Sequence, residues 1–110
     1  MNSEQFQRIQ AAAAKELIEQ GATLADIRDP DSFARSHIRG AQHLDNSNIQ
    51  EFLEQNDLDQ PLLVYCYHGN SSQPAAQFLY ERGFEQVYSL DGGFEVWQQL
   101  FPDTLISLTA

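Results

Sequence analysis

Cys66 is the residue of this chain whose position is best suited to chemistry, and it is the only cysteine among 110 residues. It ends the apolar run 61–65 and opens a polar loop that consists of Tyr67, His68, Gly69, Asn70, Ser71 and Ser72. A predicted helix follows, with Pro74 in its first turn. Backbone N–H groups of such a loop and the positive end of the helix dipole converge on the thiol. Both favour the thiolate, which is the form of cysteine that attacks electrophiles.

The glycine and the two serines of this loop have predicted structural roles. Gly69 lets the chain curl tightly round an anion, because glycine adopts positive φ without strain. Ser71 or Ser72 is expected to cap the helix with its side chain. A hydroxyl of either serine is also a candidate donor to an anion bound in the loop.

The remaining loop side chains are less directly implicated. Tyr67 and Asn70 are expected to shape the mouth of the pocket through their backbone amides. His68 is a candidate general base or a solvent-facing residue; the second interpretation is favoured because the helix N-terminus already favours the thiolate without a base. We expect His37 and His43 to be hydrogen-bonded scaffold residues.

A second polar pair lies at the end of another predicted strand. Asp26 and Arg28 could form a site pair, but neither has an evident role in thiolate chemistry. The favoured interpretation is a structural ion pair that holds the loops beside Cys66.

Strand and helix patterns alternate throughout the chain. Strands are predicted at 23–27, 41–44, 62–65 and 87–90. Helices are predicted at 11–20, 30–33 and 48–56, after Ser72, and between the turn 91–93 and Pro102. The helix after Ser72 is expected to bury Ala75, Ala76, Phe78 and Leu79.

This order predicts the α/β class, with a mainly parallel central sheet of about five strands and helices on both faces. We expect a single domain over 1–110, with a core at about 6–102 and a short C-terminal tail at 103–110. In such sheets ligands bind at the carboxyl ends of the strands, where Cys66 lies.

The amino-acid composition limits the classes of partner that the protein is expected to bind. Sixteen acidic and six basic residues give a formal charge of −10, which disfavours nucleic acid and anionic membranes. The acidic residues are dispersed and are expected to form a solvated surface. There is no apolar run of about twenty residues, so a cytoplasmic location is expected. One cysteine and three scattered histidines offer no close-spaced metal site.

Three stretches of the sequence resemble the rhodanese family. The first is Asp26-Ile27-Arg28-Asp29-Pro30 with Phe33 and the run 36–41, in which Ser36 stands where glycine is usual. The second is the loop 66–72, and the third is Leu90-Asp91-Gly92-Gly93-Phe94 with Trp97. Within the family, the chain is most similar to the small single-domain thiosulfate sulfurtransferases of the GlpE type. Gln73-Pro74 departs from that type, because a basic residue is expected shortly after the paired serines.

The resemblance implies a rhodanese-like fold and a thiosulfate sulfurtransferase. Cys66 would take the outer sulfur of thiosulfate, release sulfite, and pass the sulfur from a persulfide to cyanide or to a dithiol such as thioredoxin. Residues 67–72 would bind substrate and persulfide through amides and hydroxyls. No cofactor or metal is expected, and the protein is expected to be a monomer or a weak homodimer.

Two other functions stay open from the sequence. A non-enzymatic rhodanese-like binding or sulfur-carrier module would share the fold, although such binding modules commonly lack the loop cysteine. A cysteine phosphatase would need an arginine six residues after the cysteine to clamp phosphate, and that position is Ser72.

Overall fold

Strands and helices alternate along residues 5–107, the part of the chain that the computed structural model describes. The strands are β1 (Gln7–Ile9), β2 (Thr23–Asp26), β3 (Ser36–Ile38), β4 (Gln42–His43), β5 (Leu62–Tyr65), β6 (Val87–Leu90) and β7 (Leu105–Ser107). The α-helices are α1 (Ala11–Glu19), α2 (Pro30–Arg35), α3 (Ile49–Gln55), α4 (Ser72–Glu81) and α5 (Gly93–Leu100), and a 3₁₀ turn spans Pro102–Thr104.

Five strands form one parallel sheet in the order β1-β6-β5-β2-β4. The central strand β5 pairs with β2 and β6, and all four of its residues are buried. Such a fully apolar strand suits the middle of a sheet that is covered on both faces. The predicted α/β class and the parallel five-stranded sheet are confirmed, although β1 was not singled out by the sequence pattern.

Each face of the sheet carries its own apolar core. On one face, α1 and α5 pack Ala14, Phe94 and Trp97 against Leu63 and Leu90. On the other face the core consists of residues from α3, α4, β5, β6 and the connection after α4, among them Phe52, Leu62, Val64, Ala76, Leu79, Phe84 and Val87. Both layers converge on β5, so the residue at its carboxyl end is held from two sides.

A second, two-stranded sheet lies outside this framework. β3 pairs antiparallel with β7, with Ile38 opposite Leu105. The hydroxyl of Thr104 accepts a 2.7 Å hydrogen bond from the Trp97 ring nitrogen, and the Arg39 amide donates to the Thr104 carbonyl at 2.9 Å. Residues 102–107, mostly in the expected tail, are therefore tied to the core. Residues 1–4 and 108–110 of the predicted domain lie outside the described residues.

Two local features differ from the sequence pattern. Helix α2 continues to Arg35, two residues beyond the predicted end, and the Asp29 side chain caps its start by accepting a 3.0 Å hydrogen bond from the Ser32 amide. Phe78 was expected to be buried, but it is 44% exposed on α4 while Ala76 and Leu79 are buried. No helix within residues 5–107 is long and apolar enough to cross a membrane.

Candidate active site

Cys66 lies immediately after β5, at the carboxyl end of the central strand, and is 5% exposed. The preceding residue, Tyr65, is fully buried, and its hydroxyl accepts a 3.1 Å hydrogen bond from the Ile38 amide. Burial and the nearby charge of Asp26 raise the pKa of Tyr65, so its phenol stays neutral. The residue that precedes Cys66 in the strand is therefore buried, hydrogen-bonded and uncharged.

Two backbone amides and one hydroxyl surround the sulfur. The amides of Gly69 and Ser72 each donate to Cys66 Sγ at 3.2 Å. The Ser72 hydroxyl lies 3.4 Å from the same atom. Ser72 is also the first residue of α4, a ten-residue helix whose positive end therefore faces the sulfur. The two amides and the helix end stabilise negative charge on sulfur, and the hydroxyl, which accepts from the thiol, can donate to the sulfur once it is a thiolate.

Gly69 has the backbone that the sequence predicts for it. Its φ is +93°, a conformation in which residues with a Cβ are strained. This turn aims the Gly69 amide inward at Sγ. Glycine at this position is thus a requirement of the sulfur-binding loop.

Helix α4 begins where the sequence predicts, because Ser71 is its N-cap residue. Ser71 forms no side-chain capping hydrogen bond, however, so only the position of the cap is as expected. The hydroxyl of the next residue, Ser72, lies 3.4 Å from Cys66 Sγ. Gln73 closes the loop, since its side-chain amide donates to the Gly69 carbonyl at 3.0 Å.

The first turn of α5 is hydrogen-bonded to the start of the loop. The amides of Phe94 and Glu95 donate to the carbonyls of Cys66 and Tyr67 at 2.9 and 3.0 Å. A Cβ on Gly93 would lie 2.5 Å from the Tyr67 carbonyl oxygen, so this close approach needs a residue without a side chain. Helix α5 thereby fixes the point where the chain leaves β5.

An open cleft of about 520 Å³ gives access to Cys66. Tyr67 and Ser71 line it from the loop, and the segment after β2 contributes Ile27, Arg28, Asp29, Ser32 and Arg35. Hydrogen bonds from the Ser32 side chain and amide lower the pKa of the exposed Asp29 carboxyl. The exposed Arg35 guanidinium donates to the Ser32 hydroxyl at 3.3 Å, so both charge signs meet at the cleft mouth.

The side chains of His68 and Asn70 are not among the residues that line this cleft. Both residues are exposed. His68 Nδ1 lies 2.9 Å from Glu95 Oε1, on the side of α5. The solvent-facing interpretation of His68 is supported by this arrangement, and Glu95 is a partner that the sequence pattern did not single out.

Arg28 and Asp26 form the buried ion pair that the sequence suggests. Arg28 Nη2 lies 2.7 Å from Asp26 Oδ2, with the two side chains 7% and 0% exposed. The same guanidinium donates to the Ser36 carbonyl at 2.6 Å and lies 3.9 Å from the centre of the Phe94 ring. Burial opposes the charge, but the hydrogen bonds and charge of Asp26 outweigh it and raise the pKa of Arg28. This pair fixes the segment between β2 and β3 against α5.

Both remaining histidines are hydrogen-bonded scaffold residues, as expected. His37 Nδ1 lies 2.8 Å from the Phe33 carbonyl oxygen, and its ring stacks on Phe33 at 3.9 Å. His43 Nε2 lies 2.6 Å from the Arg28 carbonyl oxygen. Within residues 5–107 no cluster of three or more His, Cys, Asp or Glu side chains is arranged to hold a metal ion.

Comparison with known proteins agrees with this geometry. Residues 10–100 match the family described as Rhodanese-like domain. Two curated relatives are both named thiosulfate sulfurtransferase GlpE. That of Pseudomonas fluorescens is 56% identical over 89% of this chain and 90% of its own length. That of Pseudomonas syringae is 51% identical over 93% of this chain and 96% of its own.

Solved structures share the fold. A rhodanese-related protein from Thermoplasma volcanium has a TM-score of 0.73 at 28% identity, over 86% of this chain and 93% of that one. The Bacillus anthracis protein CoADR-RHD has a TM-score of 0.77 at 24% identity over 92% of this chain, which spans 18% of that longer protein. The chain belongs to the rhodanese-like family, and its curated relatives place it beside the GlpE sulfurtransferases.

Proposed function

We propose that this protein is a thiosulfate sulfurtransferase in which Cys66 is the nucleophile. The observation that carries the proposal is the position of Cys66 Sγ, which receives two amide hydrogen bonds at 3.2 Å beneath an open cleft. The GlpE name of relatives at 51–56% identity supports thiosulfate as the sulfur donor.

The first half of the reaction loads the enzyme. The Cys66 thiolate attacks the outer sulfur of thiosulfate, a new S–S bond forms, and the bond to the sulfonate sulfur breaks. Sulfite leaves with the electron pair of that bond. The loop holds negative charge before and after the step, because both the thiolate and the persulfide are anionic. No proton moves in this half-reaction.

The second half-reaction unloads the enzyme. A nucleophile attacks the terminal sulfur of the Cys66 persulfide, and the Cys66 thiolate leaves. Cyanide yields thiocyanate, and a dithiol such as thioredoxin is the cellular acceptor that we propose. The roles of Tyr67, His68, Asn70 and Ser71 as contributors to substrate and persulfide binding stay predictions, as do a cytoplasmic location and a monomeric or weakly dimeric state.

Intact-mass spectrometry tests the proposal directly, because Cys66 is the sole cysteine. Thiosulfate should add one sulfur atom to the protein, cyanide should remove it with formation of thiocyanate, and Cys66→Ser should show neither change. A Cys66→Ser variant with full activity would end the sulfurtransferase assignment. A protein that takes up sulfur from thiosulfate but turns over poorly with both cyanide and thioredoxin would favour the carrier alternative.

A further inference from the structure

A buried hydroxyl lies behind the sulfur-binding loop and is not explained by the chemistry above. Ser89 Oγ, on β6, lies 2.8 Å from Ser72 Oγ, which in turn lies 3.4 Å from Cys66 Sγ. Both serines are 0% exposed. The three atoms form a continuous hydrogen-bonded series from β6 of the sheet to the nucleophile.

The surroundings of Ser89 make its hydroxyl unusual. In the sheet register Ser89 is opposite Val64, and it shares a face with Val87, two residues earlier in the strand. Both valines belong to the apolar core beneath α4. A hydroxyl buried in such a place is costly unless it is hydrogen-bonded, and its partner is Ser72.

The number of hydrogens in this hydrogen-bonded series differs between the thiol and the thiolate of Cys66. Among residues 5–107, the hydrogen bonds of these two hydroxyls are those to each other and to Cys66. The series therefore contains two hydrogen bonds, one between Cys66 and Ser72 and one between Ser72 and Ser89. When Cys66 is a thiol, the three groups carry three hydrogens, one on sulfur and one on each oxygen, so one hydrogen has no acceptor among them.

When Cys66 is a thiolate, the three groups carry two hydrogens, one for each hydrogen bond. Ser89 then donates to Ser72, and Ser72 donates to the sulfur. Each bond polarises the next, which strengthens the donor that reaches Cys66. The persulfide also carries no hydrogen on Sγ, so the same direction of donation persists after sulfur transfer.

We propose that Ser89 is a positioning residue: it orients the Ser72 hydroxyl toward Cys66 and thereby favours the thiolate. This inference rests on the proposed function, in which the Cys66 thiolate is the nucleophile. Its signal in the sequence is weak, because it is one small polar residue inside the otherwise apolar strand 87–90.

The test is the pH profile of Cys66 alkylation by iodoacetamide, measured between about pH 5 and pH 10 on the full chain. Ser89→Ala should slow alkylation about threefold to tenfold at neutral pH, and its rate should approach that of the wild type at high pH. Ser89→Thr keeps the hydroxyl and should restore most of the neutral-pH rate. The assay uses no thiosulfate, so failure of the sulfurtransferase proposal would appear separately in the mass measurement.

Two further variants separate positioning from damage to the fold. Val87→Ala removes buried carbon from the same strand without touching a hydroxyl, and it should leave the alkylation profile unchanged. In a Ser72→Ala background, Ser89→Ala should add no further shift, because its effect passes through Ser72. A wild-type profile for Ser89→Ala, or an equal shift with and without Ser72, would overturn the inference.

Discussion

The backbone of Gly69 lies against the backbone of Gly92: a Cβ on Gly69 would be 2.9 Å from the Gly92 nitrogen and 3.1 Å from the Leu90 carbonyl oxygen. Contacts this short must be relieved by movement. Both neighbours are main-chain atoms, one at the end of β6 and one in the turn before α5, so they cannot turn aside as the tip of a side chain can. A side chain at Gly69 therefore has to displace the loop itself.

Replacing Gly69 with alanine should harm catalysis much more than stability. We expect Gly69→Ala to lower the free energy of unfolding by about 1–2 kcal/mol, from positive φ and from crowding against the main chain of Leu90 and Gly92. Sulfur transfer should fall by at least about tenfold, because the amide that donates to Cys66 Sγ tilts away. Melting and thiocyanate formation, measured on one preparation, check both expectations. Near wild-type turnover would disprove the amide-cradle account of the site.

Gly40 offers a matched control for the backbone strain. Its φ is +89°, and a Cβ there would meet no atom within 4 Å. Gly40→Ala should therefore show the cost of positive φ alone, about 1 kcal/mol, with unchanged turnover. If both variants lost activity equally, the loss at Gly69 could not be assigned to its place in the loop.

The buried pair of Asp26 and Arg28 should matter to stability. Asp26→Asn leaves the Arg28 charge buried without its carboxylate, and we expect a loss of about 3–5 kcal/mol in unfolding free energy. Chemical denaturation measures this loss. Lys15→Gln breaks the exposed Lys15–Glu19 pair and should cost less than about 0.5 kcal/mol. Similar losses in the two variants would contradict the importance of burial at Asp26.

The central part of the fold could be predicted because local signals agree there. The run 62–65 is apolar throughout, as an interior parallel strand requires, and a glycine and two serines then mark the anion-binding loop. Those features depend on neighbours in the sequence. The carboxyl end of β5 and the approximate position of Cys66 follow from them.

Other features depend on partners that are distant in the sequence. β3 and β7 are three-residue strands that pair across about two thirds of the chain, and neither has a distinctive pattern by itself. Phe78 fits the apolar period of α4, but it lines an open groove together with Leu44 and Ile49, and the ring is 44% exposed. The direction of the Ser72 hydroxyl is decided by Cys66 and Ser89, and Ser89 is 17 residues away.

The protein should not hydrolyse phosphate esters. Ser72 occupies the sixth position after the cysteine, is 0% exposed, and directs its hydroxyl inward to Sγ and Ser89. The loop therefore lacks the two-bond clamp that an arginine supplies to a phosphoryl group. We expect p-nitrophenyl phosphate hydrolysis to be equal for the wild type and Cys66→Ser. Robust phosphate release that depends on Cys66 would make the phosphatase the leading assignment.

Capture of the thiosulfate dianion has to overcome the negative charge of the protein. The chain has a formal charge of −10, so it repels thiosulfate overall, and added inert salt should hold steady or raise kcat/KM. At the cleft, the charge of Arg28 is paired with buried Asp26, whereas Arg35 is exposed, donates to the Ser32 hydroxyl and has only the exposed Asp29 carboxylate nearby. Arg35→Gln should therefore raise KM for thiosulfate about threefold to tenfold with little change in kcat.

Arg39 provides the control, because it is also exposed but does not line the cleft. Arg39→Gln removes the same single charge and should leave KM nearly unchanged at physiological ionic strength, where charges beyond about 8 Å are largely screened. Arg35→Gln should also make the gain with salt steeper, since repulsion is then less opposed at the cleft mouth. Equal changes in KM for the two variants would show that net charge, and not the position of Arg35, governs capture. A steep fall of wild-type kcat/KM with salt would instead show that local positive charge at the cleft outweighs the charge of the whole protein.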